Sequence, residues 1–63
     1  MKLTLEIKMD NAAFDNDAPG IEAARILREA AERLEEFGSD DFFFLMDING
    51  NKVGELEVTE EEE

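Results

Sequence analysis

Residues 2 to 9 alternate without interruption, with Leu3, Leu5, Ile7 and Met9 on one side and Lys2, Thr4, Glu6 and Lys8 on the other. Successive side chains of an extended chain point to opposite faces, so this pattern predicts a strand with one buried face. Residues 10 to 19 have no period and are rich in Asp, Asn and Ala, which predicts a connecting loop pinned to the core by Phe14. From Pro19 to Phe37 the apolar positions Ala23, Ile26, Leu27, Ala30, Ala31, Leu34 and Phe37 recur every three or four residues, the stripe of an amphipathic helix. Asp17 is placed to cap its start, Pro19 suits its first turn, and Gly38 suits a left-handed residue at its end. Ile21 falls off the stripe, so either the first turn is irregular or that side chain is exposed.

Residues 42 to 48 form a nearly continuous apolar run and predict a second strand. Phe42, Phe44, Met46 and Ile48 are expected to face the helix, which leaves Phe43 and Leu45 on the uncovered side. Asn49-Gly50 favours the positive φ angles of a tight hairpin turn, so a third strand should return over about residues 52 to 58. Leu56 and Val58 share a parity that Val53 lacks, and Gly54 is a natural place for a bulge that corrects the mismatch. The expected architecture is α+β: β-α-β-β, a three-stranded sheet with one helix on one face, as a single domain over residues 1–59 with an acidic tail at 60–63. Strand order 1-3-2 is preferred because it brings Lys2 and Lys8 near Glu55 and Glu57; order 1-2-3, with the most apolar strand in the centre, is the alternative.

Charge changes the picture more than anything else in the composition. The chain has 63 residues and a formal net charge of −12. A domain of this size is marginally stable, and self-repulsion on this scale weighs on it, so the charge points to a use. Cys, His, Trp and Tyr are all absent. That removes disulfides, thiolate and imidazole ligands, and nucleophile–imidazole catalysis, so no enzyme activity and no cofactor or metal site is expected. Binding to DNA, RNA or an anionic membrane draws on Lys and Arg, so direct nucleic-acid or membrane binding is not expected either. The expected partner is basic. The first residues alternate rather than run apolar, and no stretch approaches the roughly 20 apolar residues of a membrane span, so a cytoplasmic protein is expected.

Within the helix, acidic and basic residues lie at spacings that let them pair: Arg25 with Glu29, Arg28 with Glu32, Glu29 with Arg33. Outside it, thirteen acidic residues stand against three lysines. Chain direction places the helix end, the start of the second strand and the end of the third at one pole, where Glu35, Glu36, Asp40, Asp41, Glu60 and Glu61 should gather. Anions in a last helical turn oppose the macrodipole by a few tenths to about 1 kcal/mol, so local stability did not select Glu35 and Glu36. Asp10, Asp15 and Asp17, before the helix start, have a structural explanation in capping and the dipole. Glu55 and Glu57, two apart on a strand, repeat at about 6.6 Å, and together with the pole they make the candidate partner-binding set. Phe43 and Leu45 are the candidate apolar part of that interface, as an anchor or as a homodimer seam. Asp47-Ile48-Asn49-Gly50-Asn51 imitates the opening of a calcium loop, but Lys52 stands where Gly is needed and Val58 where Glu is needed, so calcium is rejected.

Through the blocks Asn11-Ala12-Ala13-Phe14, Ala24-Arg25-Ile26-Leu27-Arg28 and the run Met46-Asp47-Ile48-Asn49-Gly50-Asn51-Lys52-Val53-Gly54, the chain resembles small acidic proteins of phages and other mobile elements. In size and charge it is similar to DNA-mimicking anti-CRISPR proteins, particularly inhibitors of type I surveillance complexes. The resemblance implies a stoichiometric inhibitor in the bacterial host cell. Such a protein would occupy the basic DNA-entry or PAM-reading surface of the complex and exclude target DNA. No motif carries a functional residue across, so the candidate residues rest on the charge pattern. A different expectation, a small homodimeric accessory protein of a phage whose charge serves solubility, competes with it.

Overall fold

The computed structural model describes residues 1–37 and 42–60, with the side chain of Phe37 left aside. The alternating segment is strand β1 (Lys2–Ile7), and a 3₁₀ turn (Ala12–Phe14) follows it. Helix α1 (Pro19–Phe37) leads to β2 (Phe42–Met46) and β3 (Lys52–Thr59). The strands form an antiparallel sheet in the order β1-β3-β2, the α+β arrangement preferred from the sequence. Leu3, Leu5 and Ile7 stand opposite Val58, Leu56 and Gly54 in one register, which puts the apolar parity of β1 on the inner face. Phe14, Ile26, Ala30, Leu45, Val53 and Leu56 close the core between that face and α1.

Several local expectations are corrected. α1 begins at Pro19, so Ala18, not Asp17, stands at the capping position, and the Ala18 carbonyl accepts from Ile21 N at 3.0 Å. Asn16 Oδ1 accepts from Ala18 N at 2.8 Å and shapes the entry instead. Asn11 caps the 3₁₀ turn by accepting from Ala13 N. Ile21 is exposed, and so is Leu27, which narrows the buried stripe. The expected C-cap Gly38 lies outside the described residues.

The hairpin differs from a two-residue turn. Asp47 N donates to Asn51 O at 2.9 Å and Gly50 N to Asp47 O at 3.0 Å, so Ile48, Asn49 and Gly50 form a three-residue loop. Only Gly50 takes a positive φ, 85°, among the described residues, which is the pattern of a type I turn followed by a left-handed glycine. The register then slips between Leu45, opposite Gly54, and Met46, opposite Lys52, leaving Val53 as the extra residue. That bulge, one position before the expected Gly54, lets Val53 turn inward. Gly54 has a separate reason to be glycine: a Cβ there would collide with the Glu6 carbonyl of β1.

The faces of β2 are reversed from the expectation. Phe43 and Leu45 are 8% and 2% exposed in the core, whereas Phe42 and Phe44 are 51% and 43% exposed on the outer face. Both parities of β2 are apolar, so its own alternation does not decide the face; its pairing with β3 does, because Phe43 stands opposite the inward Leu56.

Candidate acidic binding surface

The outer face of the sheet is built from three neighbouring strands in register. Glu57 of β3 stands between Thr4 of β1 and Phe42 of β2, and Glu55 between Glu6 and Phe44. Lys2 and Lys8 lie on this face as expected, Lys2 opposite Thr59 and Lys8 at a depression shared with Glu55, while the residue directly opposite Glu55 is another carboxylate, Glu6. Like charges facing each other across an antiparallel pair are destabilising, by a few tenths to about 1 kcal/mol. Glu6, Glu55 and Glu57 thus make a carboxylate row beside an apolar column of Phe42, Phe44 and Met46.

The ring faces in this column accept cations. Phe42 and Phe44 meet edge to face with centroids 5.3 Å apart, and Lys52 Nζ lies 4.3 Å from the Phe44 centroid. The π face of an aromatic ring is its negative side, so an ammonium or guanidinium placed over it is attracted. At the hairpin end of this face a depression of about 350 Å³ is lined by Glu6, Glu55, Asp10, Lys8 and Lys52. Carboxylates and exposed rings together suit the basic side chains of a partner.

The other candidate residues are distributed as follows. Glu35 and Glu36 are exposed in the last turn of α1, and Glu60 is exposed just past β3. The antiparallel course of α1 along β2 brings these ends to one pole, while Glu55 and Glu57 lie on the outer sheet face. Asp40, Asp41 and Glu61 are outside the described residues. Phe43 and Leu45, expected on the uncovered side, are buried in the core, and the exposed apolar residues of β2 are Phe42, Phe44 and Met46. Glu6 was also missed, because as one polar residue in an alternating strand it carries no signal until its cross-strand neighbour is known.

The helix surface carries ion pairs of its own. Arg25 pairs with Glu22 at 2.8 Å and with Glu29 at 2.6 Å, and these ion pairs involve none of Glu6, Glu55 and Glu57. Arg33, expected beside Glu29, instead donates to the Phe44 carbonyl at 3.1 Å and lies 3.9 Å from the Phe43 ring centroid. Among the described residues two carboxylates are buried, Glu22 and Asp47. The hydrogen bond from Arg25 holds the Glu22 carboxyl below its usual range, helped by Ile48 N at 2.8 Å and opposed by desolvation. Asp47 is likewise lowered, first by the backbone N–H of Asn51 and then by Asn11, the Asn51 side chain and Asn49 N, again against desolvation. Four N–H donors converge on the Asp47 oxygens, an arrangement that suits an anion and leaves a cation no ligand there.

No helix among the described residues is long and apolar enough to cross a membrane. Comparison of the chain with family models, with curated proteins and with solved structures gave no match to any of them.

Proposed function

We propose that the protein is an acidic decoy, an anti-CRISPR-type inhibitor that occupies the lysine- and arginine-lined DNA-binding surface of a type I surveillance complex and blocks target DNA. One observation carries most of this reading: Glu6 and Glu55 stand directly opposite each other on an exposed face. A sheet selected for stability alone would place opposite charges there. A basic cleft adds cations to the Lys8 and Lys52 already at this depression and further offsets the repulsion on docking. DNA-binding clefts are lined in this way because duplex DNA carries about one charge per 1.7 Å of axis. Phe42, beside the Phe44 ring that holds Lys52, adds a ring face over which a partner arginine can stack. Glu35, Glu36 and Glu60 extend the negative field toward the pole where α1 ends, which speeds encounter with a basic surface.

The test is competition. A type I surveillance complex is titrated with the protein in the presence of labelled target DNA at low salt. Displacement of the DNA that weakens steeply as salt rises supports the proposal, and unchanged DNA affinity at low salt contradicts it. The competing reading is a homodimeric accessory protein of a phage whose charge serves solubility alone. It predicts that replacing Glu35, Glu36, Glu55 and Glu57 with Gln leaves activity intact.

A further inference from the structure

The two outer edges of the sheet are treated differently. Along β2, α1 supplies hydrogen-bond partners to the edge and to the loop beyond it: Arg33 donates to Phe44 O, Arg25 to Met46 O at 3.3 Å, and Glu22 accepts from Ile48 N. An unpaired edge is a template for another strand, and these side chains occupy it. Among the described residues β1 has β3 on one side and no strand on the other. Lys8 N donates to Val53 O at 2.8 Å, so the even-numbered residues of this segment bond to β3. By strand geometry Leu3, Leu5 and Ile7 then direct their N–H and C=O groups outward. The edge holds neither proline nor bulge, and Leu3 on the helix-facing side is 51% exposed.

We infer that the β1 edge binds a second copy of this chain, strand to strand, antiparallel about a two-fold axis through Thr4, giving a continuous six-stranded sheet. The outward groups belong to odd-numbered residues, so odd must meet odd. Centred on Thr4, the pairing sets Leu3 against Leu5, Thr4 against Thr4, and Lys2 against Glu6 of the other copy. Centring on Leu5 would oppose Lys2 to Lys8, and centring on Glu6 would oppose Glu6 to itself. Lys2 also interacts within its own chain, so the register rests first on bonding parity, on the Thr4 pair and on keeping like charges apart. Leu3 is covered in the process. The interface is small, and each copy carries a net charge of −12, so the dimer is weak and salt strengthens it by screening. Docking on a basic partner has the opposite salt dependence, which keeps the two proposals separable.

The chain has no cysteine, so a single Thr4→Cys substitution reports on the axis. Residues in a non-hydrogen-bonded antiparallel pair have Cα atoms about 4.5 Å apart, within the roughly 4.4–6.8 Å that a disulfide spans. Full-length T4C is compared with I21C, whose cysteine lies on the exposed side of α1, in the same glutathione buffer. The expected result is a disulfide-linked T4C dimer with an unchanged circular dichroism spectrum, at a redox ratio that leaves I21C monomeric. Sedimentation of the unmodified protein at high concentration and about 0.5 M salt, where the Debye length is roughly 4 Å, should show a dimer. Glu6→Lys should weaken it by roughly tenfold through two reversed cross-strand pairs, and the K2E/E6K exchange should restore it. Cross-linking of T4C no greater than that of I21C overturns the inference, as does a monomer under the sedimentation conditions or equal dimerisation of E6K and K2E/E6K.

Discussion

At Gly54 the chain has no room for a side chain, because β1 passes with the Glu6 carbonyl where a Cβ would sit. Gly54→Ala must push two paired strands apart, and the expected loss is about 2–4 kcal/mol of unfolding free energy, read from urea denaturation. The sequence marked Gly54 as special for its bulge, yet the bulged residue is Val53 and the close approach of β1 is a long-range fact no local pattern contains. Asp47 shows the same limit. Its neighbours resemble a metal loop, but the side chain ties the hairpin to Asn11, 36 positions away. Both buried carboxylates, Glu22 and Asp47, have lowered pKa values in the folded state. Their stabilisation is therefore complete above the ordinary carboxylate range near pH 4 and is lost as pH falls through the lower folded values. Thermal unfolding should show Tm falling steeply below about pH 4. Asp47→Asn should lower Tm at pH 7, since its amide would face the Asn11 amide, and flatten the acid limb.

At the scale of elements, α1 does two jobs that its hydrophobic stripe announces only in part. Ile26 and Ala30 fill the core as their spacing predicts, while Arg25 and Arg33, which read as members of helix-surface ion pairs, reach the open edge of β2. An arginine at a given helical position looks the same in sequence whether it meets a glutamate or a carbonyl one layer below. Arg33→Ala should cost about 1–2 kcal/mol through the lost hydrogen bond and ring contact. The R25A/R33A pair should raise light scattering and thioflavin binding on mild heating, because it uncovers an edge rich in phenylalanine; unchanged aggregation would show that the arginines do not guard it. The inward face of β2 was legible in principle. Pairing counted back from Asn49-Gly50 puts Phe43 opposite Leu56, an apolar residue that alternates with Glu55 and Glu57. The strand's own composition, apolar on both sides, obscured it.

Over the whole molecule the two sides carry charge differently: α1 has ion pairs on its surface, and the outer sheet face has Glu6 against Glu55, with Lys8 and Lys52 at the same depression and exposed rings beside them. The excess of acid outside the helix was plain in the sequence, but the placing of Glu6 directly against Glu55 depends on register, which joins residues about fifty positions apart. Because the row is set against stability, Glu55→Lys should raise unfolding free energy by roughly 0.2–1 kcal/mol while weakening docking, a trade that a merely solubilising surface would not show. On the proposed decoy role, position rather than net charge decides inhibition. The most direct measurement therefore compares two variants that each remove three negative charges, E6Q/E55Q/E57Q on the outer face and D15N/D17N/E32Q away from it, in displacement of labelled DNA from a type I surveillance complex at low salt. Loss of displacement by the outer-face variant, with the other close to the unmodified protein, is the predicted result. Equal inhibition by both, or none by the unmodified protein, would contradict it.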